Sequence, residues 1–134
     1  MRETTPRPTA LVVDDDPSYR ILMRQYLELA GFVVIVASDG RQALRVLEER
    51  PVSVLVTDLI MPEIEGLELI QLVKRGFPGL RIVAVSGDGR GPEAGYLRLA
   101  RLFGADAALP KPFSGSALVE AAMPSPQACA APAN

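Results

Sequence analysis

The chain reads as one α/β domain, a parallel sheet covered by helices on both faces. Two observations predict this. Short runs rich in Val and Ile alternate repeatedly with longer segments whose apolar residues recur at helical spacing. The short runs are apolar on successive residues, as strands covered on both faces require. Length agrees, since 134 residues suit a single domain at roughly 150 residues per domain.

The elements follow in order. Residues 1–8 are polar, with Pro6 and Pro8, and are expected to form a disordered tail. Strand one is Ala10–Val13. Asp16 and Pro17 open the first helix as N-cap and first-turn residue, Leu22, Met23, Tyr26, Leu27 and Ala30 give it an apolar face, and Gly31 ends it. Strand two is Phe32–Val36. The second helix runs from Asp39 to Arg50, with Ala43, Leu44 and Leu47 facing inward and Pro51 stopping it. Strand three is Val52–Thr57, followed by a helix over about Glu65 to Arg75 carrying Leu69, Ile70 and Val73. Strand four is Arg81–Val85, and helix four, Pro92 to Phe103, closes at Gly104. The weakest strand, Ala107–Leu109, precedes a short helix from Ser114 to Ala122 that Pro124 ends. The folded span is therefore 9–122, and residues 123–134, Ala/Pro-rich and uncharged, are expected to be a disordered tail.

Composition removes whole classes of function. Lys plus Arg is 14 and Asp plus Glu is 16, a net charge of −2, which argues against nucleic acid as a direct partner. There is no His, so Ser-His-Asp and Cys-His catalysis and His-ligated zinc are excluded within this chain. The single Cys, Cys129, lies in the tail and forms no internal disulfide. The apolar run Ala10–Val13 is too short for a signal peptide or a membrane span, so a cytoplasmic protein without membrane contact is expected.

In an open parallel sheet, ligands bind beyond the carboxyl ends of the strands. Strand one ends in Asp14-Asp15-Asp16, strand three in Asp58, strand four in Ser86-Gly87 and strand five in Lys111, between Pro110 and Pro112; strand two offers only Ala37-Ser38. Each has a plain structural reading. Asp16 is a helix cap, Asp58 a loop residue, Ser86-Gly87 a turn, and Lys111 a surface residue in a rigid loop. Together they gain weight, because four strand ends bring them to one place. Crowded carboxylates repel unless a cation joins them. With no His or useful Cys, the natural candidate is a hard divalent ion, Mg2+, rather than zinc. A carboxylate beside such an ion, an ammonium and a hydroxyl also suits a transferring phosphoryl group, with the carboxylate as nucleophile.

The motifs at these strand ends resemble a known family. Leu11-Val12-Val13-Asp14-Asp15, the stretch Thr57-Asp58-Leu59-Ile60-Met61-Pro62-Glu63-Ile64-Glu65-Gly66-Leu67-Glu68-Leu69, Val85-Ser86-Gly87 and Leu109-Pro110-Lys111-Pro112-Phe113 are similar to the receiver domain of two-component response regulators. The resemblance implies a doubly wound, flavodoxin-like (βα)5 fold with strand order 2-1-3-4-5. It implies that Asp58 accepts a phosphoryl group from the phosphohistidine of a sensor histidine kinase or phosphotransfer protein. It implies that Asp15, Asp58 and the Ile60 carbonyl ligate Mg2+, that Asp14 holds it largely through water, that Lys111 pairs with the phosphoryl oxygens, and that Ser86 is the switch hydroxyl. It also implies a cis Lys111-Pro112 peptide. Such a chain is no enzyme beyond its own phosphorylation and dephosphorylation. It signals to a downstream protein or acts as a phosphate sink, as a monomer or weak dimer.

The chain departs from the family at Ala108, where an aromatic switch residue usually stands three before the Lys; Tyr96 and Phe103 on helix four are the candidates to replace it. The loop Gly87-Asp88-Gly89-Arg90-Gly91 is expected to be mobile. The resemblance also implies that Ile60 and Asp88 flank the path of a water attacking the acyl phosphate, and Ile60 has no group to orient it. Two competing readings remain. A haloacid-dehalogenase-type phosphohydrolase would use Asp14 as nucleophile in the pattern Asp14-x-Asp16-x-Ser18, but leaves Asp58 unexplained. A receiver-like binding module could signal without phosphorylation.

Overall fold

The computed structural model describes residues 7–60, 66–87 and 92–123. Strand and helix alternate along it: β1 (Thr9–Val13), α1 (Pro17–Leu29), β2 (Val33–Ala37), α2 (Gly40–Glu49), β3 (Val54–Asp58), α3 (Gly66–Gly76), β4 (Arg81–Ser86), α4 (Pro92–Phe103), β5 (Ala107–Pro110) and α5 (Gly115–Ala122). Met61 to Glu65, Asp88 to Gly91, Cys129 and most of both expected tails lie outside the described residues.

All strand pairs are parallel, in the order β2-β1-β3-β4-β5, as the resemblance implied. Leu11 pairs with Ile35 on one side and with Leu55 on the other. A parallel sheet places every strand's carboxyl end on one edge, so Asp14, Asp58, Ser86 and Lys111 meet there.

The helix starts follow local chemistry. Asp16 accepts a hydrogen bond from the Ser18 amide, Asp39 from Gln42 and Ser114 from Ala117, each satisfying an N–H that the first turn leaves without a partner. Gly31 ends α1 at φ +102°, where the Phe32 amide donates to Leu27 and the Gly31 amide to Glu28. Phe32 is thereby held in the helix cap, so β2 starts one residue later than its apolar pattern predicts.

Two apolar layers sandwich the sheet. Met23 and Leu27 of α1 and Leu118, Ala121 and Ala122 of α5 pack on Ala10, Val12, Val56 and Val83. Ala43 and Leu47 of α2, Leu69, Ile70 and Val73 of α3 and Ala100 of α4 pack on Leu11, Val13, Leu55 and Ala84. The alternation of Ala10 and Val12 with Leu11 and Val13 is the pleat of β1 dividing its side chains between the layers.

Full coverage holds only for the inner strands. β3 is buried at all five positions, whereas the edge strand β2 leaves Val33 37% and Val36 39% exposed, and β5 is only half-buried. An edge strand has one neighbour, and the helix layers taper there. The strands β3, β4 and β5 also run one residue further than their apolar runs predict, through Asp58, Ser86 and Pro110. Ladder hydrogen bonds continue past the core: the Leu59 amide donates to Val85 and the Lys111 amide to Ser86.

Candidate functional site

Asp14 follows the last residue of β1 and is fully buried. Its Oδ1 accepts from the Asp16 amide at 2.9 Å and its Oδ2 from the Lys111 ammonium at 2.8 Å. Arg20 of α1 reaches back to the Asp14 carbonyl at 2.8 Å, fixing the turn between strand and helix. Asp15 is exposed. Asp16, as the sequence suggests, is the cap of α1.

Asp58 is the last residue of the buried central strand and is 7% exposed. Its Oδ1 accepts from the Leu59 amide at 2.9 Å and lies 3.7 Å from the Lys111 ammonium. The floor beneath it is made by Gly66, the first residue of α3, whose amide donates to the Leu59 carbonyl at 3.0 Å. A Cβ on Gly66 would overlap the Asp58 carbonyl oxygen and stand 2.5 Å from the Leu59 Cα. A side chain there would push α3 off the backbone that carries Asp58.

Lys111 is anchored at its own backbone. Its amide donates to the carbonyls of Ser86 (2.6 Å) and Gly87 (2.9 Å), and the peptide to Pro112 is cis. Ser86 is fully buried, and its hydroxyl has no hydrogen-bond partner among the described residues. An orphaned buried hydroxyl is rare in native structures. Here it stands on the strand next to Asp58 and pairs in register with Pro110, beside Lys111.

The electrostatics follow from this crowding. Asp14, Asp15 and Asp58 each present a carboxylate oxygen, all within 4.8 Å of one another. Burial pushes the Asp58 carboxyl up, and the Asp14 charge adds to it. The Lys111 ammonium and the Leu59 amide pull it down, Asp15 raises it slightly, and the balance is a pKa of about 6. Burial alone would lower Lys111, but the Asp14 hydrogen bond and the charges of Asp58 and Asp14 outweigh it and raise its pKa. Three carboxylates against one ammonium leave a negative, oxygen-rich cleft, the donor set of a hard divalent cation.

Asp14, Asp15, Asp58, Ser86 and Lys111 thus come together. Ile60, read as a carbonyl ligand, has a side chain 45% exposed beside them. Ala108 is half-buried in the layer under α2, α3 and α4, as are Tyr96 and Phe103 of α4. Asp14 is unsuited to be the nucleophile of the dehalogenase-type reading, because it is fully buried and both its oxygens are engaged. Asp58 Oδ2 has no donor among the described residues.

Sequence reasoning missed Tyr19. Its ring centroid lies 4.1 Å from the Lys111 ammonium, and it packs against Phe113 with centroids 6.0 Å apart. Its place in the first turn after the acidic run was the available signal.

Known proteins share this arrangement of elements. The chain matches the response regulator receiver domain over residues 10–123. It is 37% identical over 109 residues to the transcriptional regulatory protein CpxR of Escherichia coli, covering 81% of this chain and 45% of CpxR. It spans less than half the length of that relative, and 19% of the Escherichia coli transcriptional regulatory protein GlrR. The receiver domain protein of Clostridium thermocellum superposes with a TM-score of 0.78 at 27% identity, covering 85% of this chain and 90% of that one. The chemotaxis response regulator CheY4 of Vibrio cholerae does so at 0.76 and 26%, covering 86% and 95%. The family match spans both apolar layers and every strand end of the site, so the chain belongs to the response regulator receiver domain family.

Proposed function

We propose that Asp58 accepts a phosphoryl group from the phosphohistidine of a sensor histidine kinase or phosphotransfer protein, and that the domain signals through altered protein contacts or serves as a phosphate sink. The observation that carries this reading is a buried carboxylate 3.7 Å from an ammonium, with a buried hydroxyl that lacks a partner among the described residues at the end of the neighbouring strand. A carboxylate oxygen of Asp58 attacks phosphorus as the phosphorus–nitrogen bond of the donor breaks, and the electron pair leaves with the imidazole. Lys111, 3.7 Å from Asp58, donates to one phosphoryl oxygen, and the Ser86 hydroxyl to another. Asp15 and Asp58 would hold Mg2+ with the Ile60 carbonyl, and Asp14 through water, both Asp14 oxygens being already engaged. Bound there, Mg2+ offsets the repulsion between carboxylate and phosphoryl oxygens.

Apart from its own phosphorylation and dephosphorylation, the chain is read as non-enzymatic. Among the described residues no helix is long and apolar enough to cross a membrane; the signalling role proposed is a cytoplasmic one. The test is intact-mass analysis after incubation with acetyl phosphate and Mg2+. One phosphoryl group is expected on the wild type and none on Asp58→Asn; equal modification of both refutes the assignment. Ala108 favours a second reading, a binding module that works without phosphorylation. Partner affinity that is unchanged by phosphorylation would support it.

A further inference from the structure

Tyr19 has no part in the reading above, yet its ring stands against the ammonium of the site. It stands in the first turn of α1, half-buried, with the Lys111 ammonium 4.1 Å from its ring centroid. Phe113, two residues beyond Lys111, packs on the same ring at 6.0 Å with the planes tilted by 49°. The ring is therefore buttressed by Phe113 while its face meets the charge.

Lys111 has three further restraints. Its amide is tied to Ser86 and Gly87, its ammonium donates to Asp14 at 2.8 Å, and Asp58 lies 3.7 Å away. To meet a phosphoryl group on Asp58, the ammonium must give up or share the Asp14 bond and travel toward Asp58. A carboxylate bond is directional and opposes that shift. The face of a ring attracts a cation over a broad area and falls off gently with lateral displacement. Tyr19 can thus follow the ammonium as its anionic partner changes. The ring also covers the ammonium, and the Lys111 side chain is only 13% exposed.

We propose that Tyr19 is a positioning residue for Lys111: its ring confines the ammonium to the line between Asp14 and Asp58 and remains its partner during phosphoryl transfer. The inference rests on the reading of Asp58 as phosphoryl acceptor.

The test uses a property of the sequence. The chain contains two lysines, Lys74 and Lys111, so 13C-lysine labelling of the full chain yields two ε-methylene signals, with Lys74 as internal reference. In the wild type and Tyr19→Phe, the Lys111 ε-protons are expected upfield of Lys74 through the ring current. In Tyr19→Leu that displacement is lost. Phosphorylation by acetyl phosphate and Mg2+ is expected to slow about five- to tenfold in Tyr19→Leu, the equivalent of one cation–π contact, and to be restored in Tyr19→Phe. Phe113→Leu removes only the buttress, and an intermediate loss of ring-current shift is expected; this variant carries the test if Tyr19→Leu does not fold. Wild-type shift and wild-type rate in Tyr19→Leu would overturn the proposal, as would failure of Tyr19→Phe to restore both. If the wild type takes no phosphoryl group, the acceptor reading fails, while the lysine spectra still decide whether Tyr19 holds Lys111.

Discussion

Replacing Asp58 with Asn is expected to stabilise the metal-free protein, by an amount that grows with pH. Asp58 is 7% exposed and lies beside Asp14 and Asp15, and its pKa rises from the ordinary 3.8 to about 6. The folded state therefore binds this proton more tightly than the unfolded chain. Stability is greatest below the unfolded value and falls as pH rises from 3.8 toward 6. The shift of about two units corresponds to about 3 kcal/mol lost once Asp58 is fully ionised. An Asn side chain matches the neutral acid in shape, can still accept from the Leu59 amide, and carries no charge. The advantage of Asp58→Asn should be under about 1 kcal/mol near pH 4 and about 3 kcal/mol near pH 8. Lys111 does not interfere, because its pKa is raised above 10.5 and it stays charged throughout this window. The measurement is urea unfolding of both proteins in EDTA at several pH values, with stability read from the midpoint at constant slope. A difference that does not change with pH, or a destabilised Asp58→Asn at pH 8, would refute the assignment of charge strain to Asp58. Adding Mg2+ at pH 8 should then stabilise the wild type more than the variant, since a cation relieves the same repulsion.

Three further outcomes are expected. Asp15→Asn should weaken Mg2+ binding, followed by calorimetry, more than Asp16→Ala does, whereas Asp16→Ala should lower stability by about 1 kcal/mol through loss of the α1 cap; Mg2+ binding abolished only in Asp16→Ala would reassign the acidic run. Gly66→Ala should destabilise by about 2 kcal/mol or more, because its Cβ would overlap backbone rather than a flexible side chain, and should slow phosphorylation of Asp58 as the backbone shifts. Ile60→Asn should shorten the lifetime of the Asp58 phosphate about tenfold after donor removal, since a side chain able to orient water replaces an exposed apolar one; an unchanged or longer lifetime would turn attention to Asp88.

Much of the architecture was legible in the sequence because it rests on local signals. The apolar runs of β1, β3 and β4 and the apolar faces of α1 to α3 follow from the periodicity of burial, and Asp16, Ser114 and Gly31 act on groups within a few residues. The convergence of Asp14, Asp58, Ser86 and Lys111 was also legible, since a parallel sheet brings all strand ends to one edge. The tertiary structure decided what depends on distance through space. Asp14 and Lys111 are 97 residues apart, and their 2.8 Å bond sets which carboxylate is spent on the ammonium and which is left for chemistry. The raised pKa of Asp58 comes from burial and neighbouring charge, neither of which a residue type carries with it. Tyr19 lies outside the apolar face read for α1, and only the fold sets its ring on Lys111. The exposure of β2 and the continuation of β3 through Asp58 likewise arise from the ladder and the helix layers rather than from any single residue. Periodicity and capping act within a few residues of the chain, whereas charge, solvent and shape are fixed only when distant segments meet.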